Sequence, residues 1–164
     1  MKIVKVMTKK VHTIGPNNSL RECAKILERT GVNGLVVTEE KKVVGVITKT
    51  DIFKVILPRY PENIEEERYM SDLEQIKERV SKLFEMKVKD IMGSPPITVS
   101  SDVPIIRAGS IMLLRRVKQI PVVDEEKLVG IVTFTDIISK TLRRLQSRKG
   151  TPSQKKASQW NPQS

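Results

Sequence analysis

Gly45-Val-Ile-Thr48-Lys-Thr50-Asp51 returns as Gly130-Ile-Val-Thr133-Phe-Thr135-Asp136, 85 positions further on. The same offset pairs Met7 with Met92, Thr13-Ile14 with Thr98-Val99, and Ile26 with Ile111. It also pairs Val32 with Val117, Leu35-Val36-Val37 with Ile120-Pro121-Val122, and Lys42 with Lys127. The chain is therefore one unit written twice, and internal repetition outranks other fold signals. A duplicated unit generates a pseudo-twofold axis, and the cleft between the copies presents two related sets of polar groups.

Within each copy the pattern reads strand, helix, strand, strand, helix. Val11-His-Thr-Ile14 is a short strand candidate, and Ser19-Leu-Arg-Glu22 has the spacing of a capping box. Leu20, Cys23, Ala24 and Leu27 make one apolar helical face that Gly31 can terminate. Leu35 to Thr38 and Val43 to Ile47 flank the polar turn Glu39 to Lys42, which predicts a hairpin. A second helix is expected just after Thr50-Asp51, stopping before Pro58. In the second copy Ile97-Thr-Val99 predicts a strand, Pro104 to Arg115 a helix, Ile120 to Val123 with Leu128 to Val132 a hairpin, and Ile137 to Leu145 the closing helix. The fold class is α/β (α+β): two tandem repeats, each a small sheet with two packed helices. Residues 1–57 form the first repeat, 58–87 a linker with an inserted, largely exposed amphipathic helix, and 88–146 the second repeat. Residues 147–164 read as a basic tail without a packed element.

The bulk numbers exclude several functions. One cysteine, Cys23, rules out an internal disulfide framework, and one histidine, His12, removes nearly all zinc and triad chemistry. No apolar run is long enough to span a bilayer and no secretory signal is visible, so a cytoplasmic location without membrane contact is expected. The net charge of +11 is concentrated near the end: Lys140, Arg143, Arg144, Arg148, Lys149, Lys155 and Lys156 leave +4 for everything else. No Walker-type glycine loop is present, no base is placed against a nucleophile, and no enzymatic activity or catalytic cofactor is expected.

Gly-x-x-Thr-x-Thr-Asp places two hydroxyls and a carboxylate where a strand becomes a helix. Thr48 and Thr50, or Thr133 and Thr135, can meet a phosphate, and the free amides of the helix start suit an anion. Asp51 and Asp136, if ionised, are acceptors that match a ribose diol. The same residues also make an ordinary N-cap, and a duplication would copy a cap as readily as a site. His12 aligns with Ile97, which favours a partly buried position. Cys23 aligns with Ala108, which favours a small core residue. Arg115 and Arg116 are either additional anion contacts or solvated residues at a helix end.

The ordered set of motifs resembles the CBS domain, the cystathionine-beta-synthase type repeat that occurs in tandem pairs (Bateman modules). Val6-Met7 and Val88-Lys-Asp-Ile-Met92 open the copies. Gly31-Val-Asn-Gly-Leu-Val-Val and Val117-Lys-Gln-Ile-Pro-Val-Val-Asp124 follow, and the two Gly-x-x-Thr-x-Thr-Asp segments close them. The resemblance implies a regulatory module that binds AMP, ADP, ATP or S-adenosylmethionine between the copies. One implied site uses Thr133, Thr135 and Asp136, with Ile131 beside the base, Lys118 and Gln119 near the phosphates, and Val11, His12, Val32 and Asn33 from the first copy. The related site uses Val46, Thr48, Thr50 and Asp51, with Pro96, Ile97, Val117 and Lys118 opposite. Because Asn33-Gly34 stands where the second copy has Lys118-Gln119, the Asp136 site is the better expected anion binder. The resemblance further implies a homodimer and a separate enzyme or transporter that reads the ligand state. A different class of function, nucleic-acid binding or an adaptor role through the basic tail, is the alternative.

Overall fold

A computed structural model describes residues 1–57 and 69–147, except the side chains of 69–73, 145 and 147. The expectations for the start of the linker and for the tail, Trp160 included, lie outside the described residues. After a 3-10 turn at Ile3–Lys5 come β1 (Thr13–Ile14), α1 (Leu20–Thr30), β2 (Gly34–Glu39), β3 (Lys42–Thr48) and α2 (Lys49–Ile56). The inserted helix α3 (Tyr69–Glu85) and a single turn α4 (Val88–Ile91) lead into α5 (Ile105–Arg115), β4 (Gln119–Asp124), β5 (Lys127–Thr133) and α6 (Phe134–Ser147). The fold is mixed α and β, with small sheets, as expected.

The local chemistry explains the elements. Ser19 Oγ accepts the Glu22 amide at 3.2 Å while Glu22 Oε2 accepts the Ser19 amide at 3.0 Å, so α1 starts with its orphan donors satisfied. The Asn18 side-chain amide, first, and then these bonds hold the Glu22 carboxyl below its ordinary range. Gly31, at φ 71°, ends the helix with its amide on Leu27 O. Each hairpin turns through two left-handed residues, Glu40-Lys41 and Glu125-Glu126, the geometry whose twist matches the flanking strands. A bulge follows at the same place in both, between Val37 and Thr38 and between Val122 and Val123.

The second copy departs from the first at its opening strand. β1 runs parallel to β2, and the Val36 amide donates to His12 O at 3.2 Å. The position equivalent to Val36 is Pro121, which has no amide to donate to Ile97. The predicted strand Ile97 to Val99 therefore shrinks to a single bridge between Val99 and Val122. The helices α2 and α6 also begin earlier than the sequence suggested, at Lys49 and Phe134, because Thr48 and Thr133 rather than the aspartates precede the first turn.

Packing crosses between the copies. Ile3 and Val6 are buried in the core of the second copy with Val99, Ala108, Met112, Ile120 and Val132. Leu83 and Val88 are buried with Leu20, Cys23, Leu27, Leu35 and Ile47 of the first. The bonds match residue for residue: Ile105 N to Met1 O and Leu20 N to Met86 O, both 3.0 Å. Thr8 and Ile131 exchange two backbone bonds, as do their counterparts Gly93 and Val46. Gly45 and Gly130 are needed at these crossings. A Cβ on Gly45 would stand 2.6 Å from Met92 Sδ and 3.0 Å from Gly93 O, and one on Gly130 would stand 2.8 Å from Met7 Sδ. At the hairpin tips Lys42 Nζ meets Glu126 Oε2 at 2.9 Å, joining the copies. The inserted helix α3 lies on α1 and α2, burying Leu83 and setting Phe84 under the Arg21 guanidinium at 4.4 Å.

Candidate functional site

One large cleft, about 820 Å³, opens where the β5–α6 corner of the second copy faces the first copy. Thr133, Phe134 and Thr135 reach it because the strand ends and the helix begins there. Lys118 and Gln119 enter with the start of β4, and the Phe134 amide donates to Lys118 O at 2.9 Å, which fixes that corner. Val11, His12, Val32 and Asn33 come from the first copy, and Ile131 from β5. Nine of the ten residues expected at this site therefore line one cavity.

Asp136 is the tenth. Its Oδ2 accepts the Thr133 amide at 2.8 Å and the Thr133 hydroxyl at 2.7 Å, and Thr133 Oγ1 accepts the Asp136 amide at 3.1 Å. The carboxylate is half-buried behind the threonine and is not part of the cleft lining. Thr48 and Asp51 repeat this cap, at 2.9, 2.6 and 3.2 Å. Both Thr-Asp pairs are thus helix caps, which leaves Thr135 as the hydroxyl free of that cap at the cleft. The residues expected at the second site are placed differently. Val117 and Lys118 line the large cleft, whereas Val46, Thr48, Thr50, Asp51, Pro96 and Ile97 do not.

The sequence reading missed Thr8, Lys10, Gly34, Met112, Leu113 and Phe134, all of which line the cleft, and left Arg116 undecided. Thr8 and Lys10 arrive with the opening segment that crosses to the second copy, a long-range contact that spacing does not reveal. Gly34 is the counterpart of Gln119, and the two meet across the pseudo-twofold axis: a Cβ on Gly34 would collide with Gln119 Nε2 and lie 2.8 Å from Ile47 O. That Nε2 is shut off from solvent and has no hydrogen-bond partner among the described residues. The lining carries Lys10, Arg116 and Lys118 and no carboxylate. Such a lining suits an anion with an apolar or aromatic body.

No group of metal-ligating side chains occurs among the described residues. Cys23 is fully buried, and burial pushes its thiol up to about 11, so it is a neutral core residue rather than a nucleophile. No described helix is long and apolar enough to cross a membrane.

The CBS-domain profile matches residues 3–58 and 88–143, the two halves whose cores and hairpins repeat. The chain belongs to the CBS-domain family. As a CBS pair it is 34% identical over 139 residues to MJ1232 of Methanocaldococcus jannaschii, covering 84% of this chain and 38% of that one. It is 29% identical to the inosine-5′-monophosphate dehydrogenase of Korarchaeum cryptofilum, of which it spans 21%. The chain thus covers less than half of these relatives' own length. CBSX2 of Arabidopsis thaliana, solved with AMP, superposes with a TM-score of 0.68 at 22% identity, covering 88% of this chain and 98% of that one. The CBS pair of MJ0100, solved with 5′-methylthioadenosine and S-adenosyl-L-methionine, gives 0.63 at 26%, covering 91% and 98%.

Proposed function

We propose that this CBS pair is a regulatory module that binds an adenosine nucleotide, through its phosphates, in the cleft between the copies. The observation that carries the reading is the lining of that cleft. Lys10 from one copy and Arg116 and Lys118 from the other accompany Thr135 and the start of α6, with no acid to compete. The volume of about 820 Å³ suits a nucleotide. Adenosine compounds in CBSX2 and in the MJ0100 pair support the ligand class. Charge favours phosphates over the cationic sulfonium of S-adenosylmethionine. A ligand held by groups from both copies favours the arrangement in which they face each other, and that difference is what a partner enzyme or transporter would read.

Calorimetry and thermal shift with ATP, ADP, AMP, adenosine and S-adenosylmethionine, at low and high salt, test this. The phosphorylated ligands should raise the midpoint and lose affinity with salt, with S-adenosylmethionine weaker. No shift with any adenosyl ligand would sink the reading.

The same proposal includes a homodimer through α5 and α6. Ile106, Leu113 and Leu114 are 79%, 68% and 80% exposed, and Ile138 and Leu142 are 46% and 54% exposed on the neighbouring helix. The counterparts of Ile106, Leu113 and Leu114 in the first copy, Arg21, Glu28 and Arg29, are charged, so the fold does not require apolar residues on that face of α5, whereas Ile138 and Leu142 match the apolar Phe53 and Leu57. Sedimentation should show a dimer that Ile106→Arg with Leu114→Arg converts to a folded monomer. A wild type that stays monomeric at high concentration would count against it.

A further inference from the structure

We propose that Arg116 is a phosphate clamp, a side chain kept at a left-handed helix end where the fold itself needs only glycine. This rests on the nucleotide reading of the cleft and assigns one of its determinants. Left-handed residues occur at matched places in the two copies: Glu40 with Glu125, Lys41 with Glu126, and Gly31 with Arg116. The hairpin pairs carry side chains in both copies, so the turn imposes them. Only the helix end changes, from glycine at φ 71° to arginine at φ 54°, ψ 36°.

Glycine is the ordinary occupant of that position, because a Cβ there crowds the residue's own carbonyl. Around Gly31 a Cβ would meet nothing within 4 Å, so the first copy gains no packing from a side chain at this point. Arg116 instead lines the cleft, and its guanidinium has no hydrogen bond or ion pair among the described residues. Arg115, one residue earlier, lies outside the lining in the last turn of α5, where a cation suits the field of the helix end. The two arginines therefore separate: one complements a helix and the other is held, under strain, at a cleft rich in cations. A planar guanidinium can give two parallel N–H bonds to phosphate oxygens, which an ammonium cannot. The ligand it selects carries at least one phosphate.

The test compares the full chain with Arg116→Gly and Arg116→Lys, using ATP, adenosine and inorganic tripolyphosphate. Arg116→Gly should raise the unliganded melting midpoint by about 2 °C or more. It should weaken ATP roughly tenfold to a hundredfold and leave adenosine unchanged. Arg116→Lys should weaken ATP without raising the midpoint. Unchanged ATP affinity in Arg116→Gly, or a midpoint that does not rise, overturns the proposal. If the wild type binds no adenosine compound, the nucleotide reading fails separately. Tripolyphosphate then decides for Arg116: weaker binding by Arg116→Gly supports the clamp, and equal or absent binding refutes it.

Discussion

The Thr-x-Thr-Asp residues show how a carboxylate expected at a ligand site can serve the fold instead, while its neighbouring threonines face the cleft. Asp136 holds Thr133 and never reaches the cleft wall, so its first contribution is to the start of α6. Asp51→Ala and Asp136→Ala should each cost about 1 kcal/mol in urea unfolding, since both remove the same cap. Only Asp136→Ala should also reduce the thermal shift given by nucleotide, by loosening the corner that presents Thr133 and Thr135. Equal ligand effects from both variants would assign the aspartates a role in a second cleft. The order and identity of these residues were legible in the sequence, and so was the alternative that they are caps. What was not legible is that the threonines line the cleft while the aspartate does not, because a motif gives no side-chain direction. Lys10 escaped notice for a similar reason. Nothing local marks it, and it becomes a cleft residue only when the chain crosses to the other copy.

At the scale of elements, strands β3 and β5 are set by glycines that admit a neighbour. The crossing segments press Met92 and Gly93 on Gly45, and Met7 and Thr8 on Gly130. Backbone oxygens stand about as close as the sulfurs, so rotating the methionine is not enough to make room. Gly45→Ala and Gly130→Ala should therefore destabilise by about 1–3 kcal/mol each, measured by chemical denaturation. A loss below about 0.5 kcal/mol at either site would show that the crossing gives way. Hairpins and helix α1 followed from alternation, turn residues and the Ser19-to-Glu22 spacing, all short-range signals. The opening strand of the second copy did not form as expected, and the cause is a partner-strand residue. Pro121 withholds one amide, and an element of two residues cannot spare a bond.

At the scale of the whole molecule, the repeat read from sequence and the packing seen in space are offset. All the residues clustered around Leu20 and Leu35, from Ile14 to Met92, fall inside the span 9–93. Residues 1–57 lack Leu83, Val88 and Met92 and carry Ile3 and Val6, which belong to the other cluster. A 9–93 fragment should unfold cooperatively on heating with calorimetric cooperativity, and a 1–57 fragment should not. Cooperative folding of 1–57 alone would refute this. The offset also bears on how such a chain can be rearranged. A ring of two units, each lending its first turn to the other, has no privileged starting point. Joining the ends and reopening the chain just before Lys9 would leave both clusters intact, and each opening segment would then be continuous with the body it completes. The reciprocal loan of Ile3 and Val88 would be the same in either chain order, so it is this exchange, rather than the order of the halves along the chain, that ties the two units together.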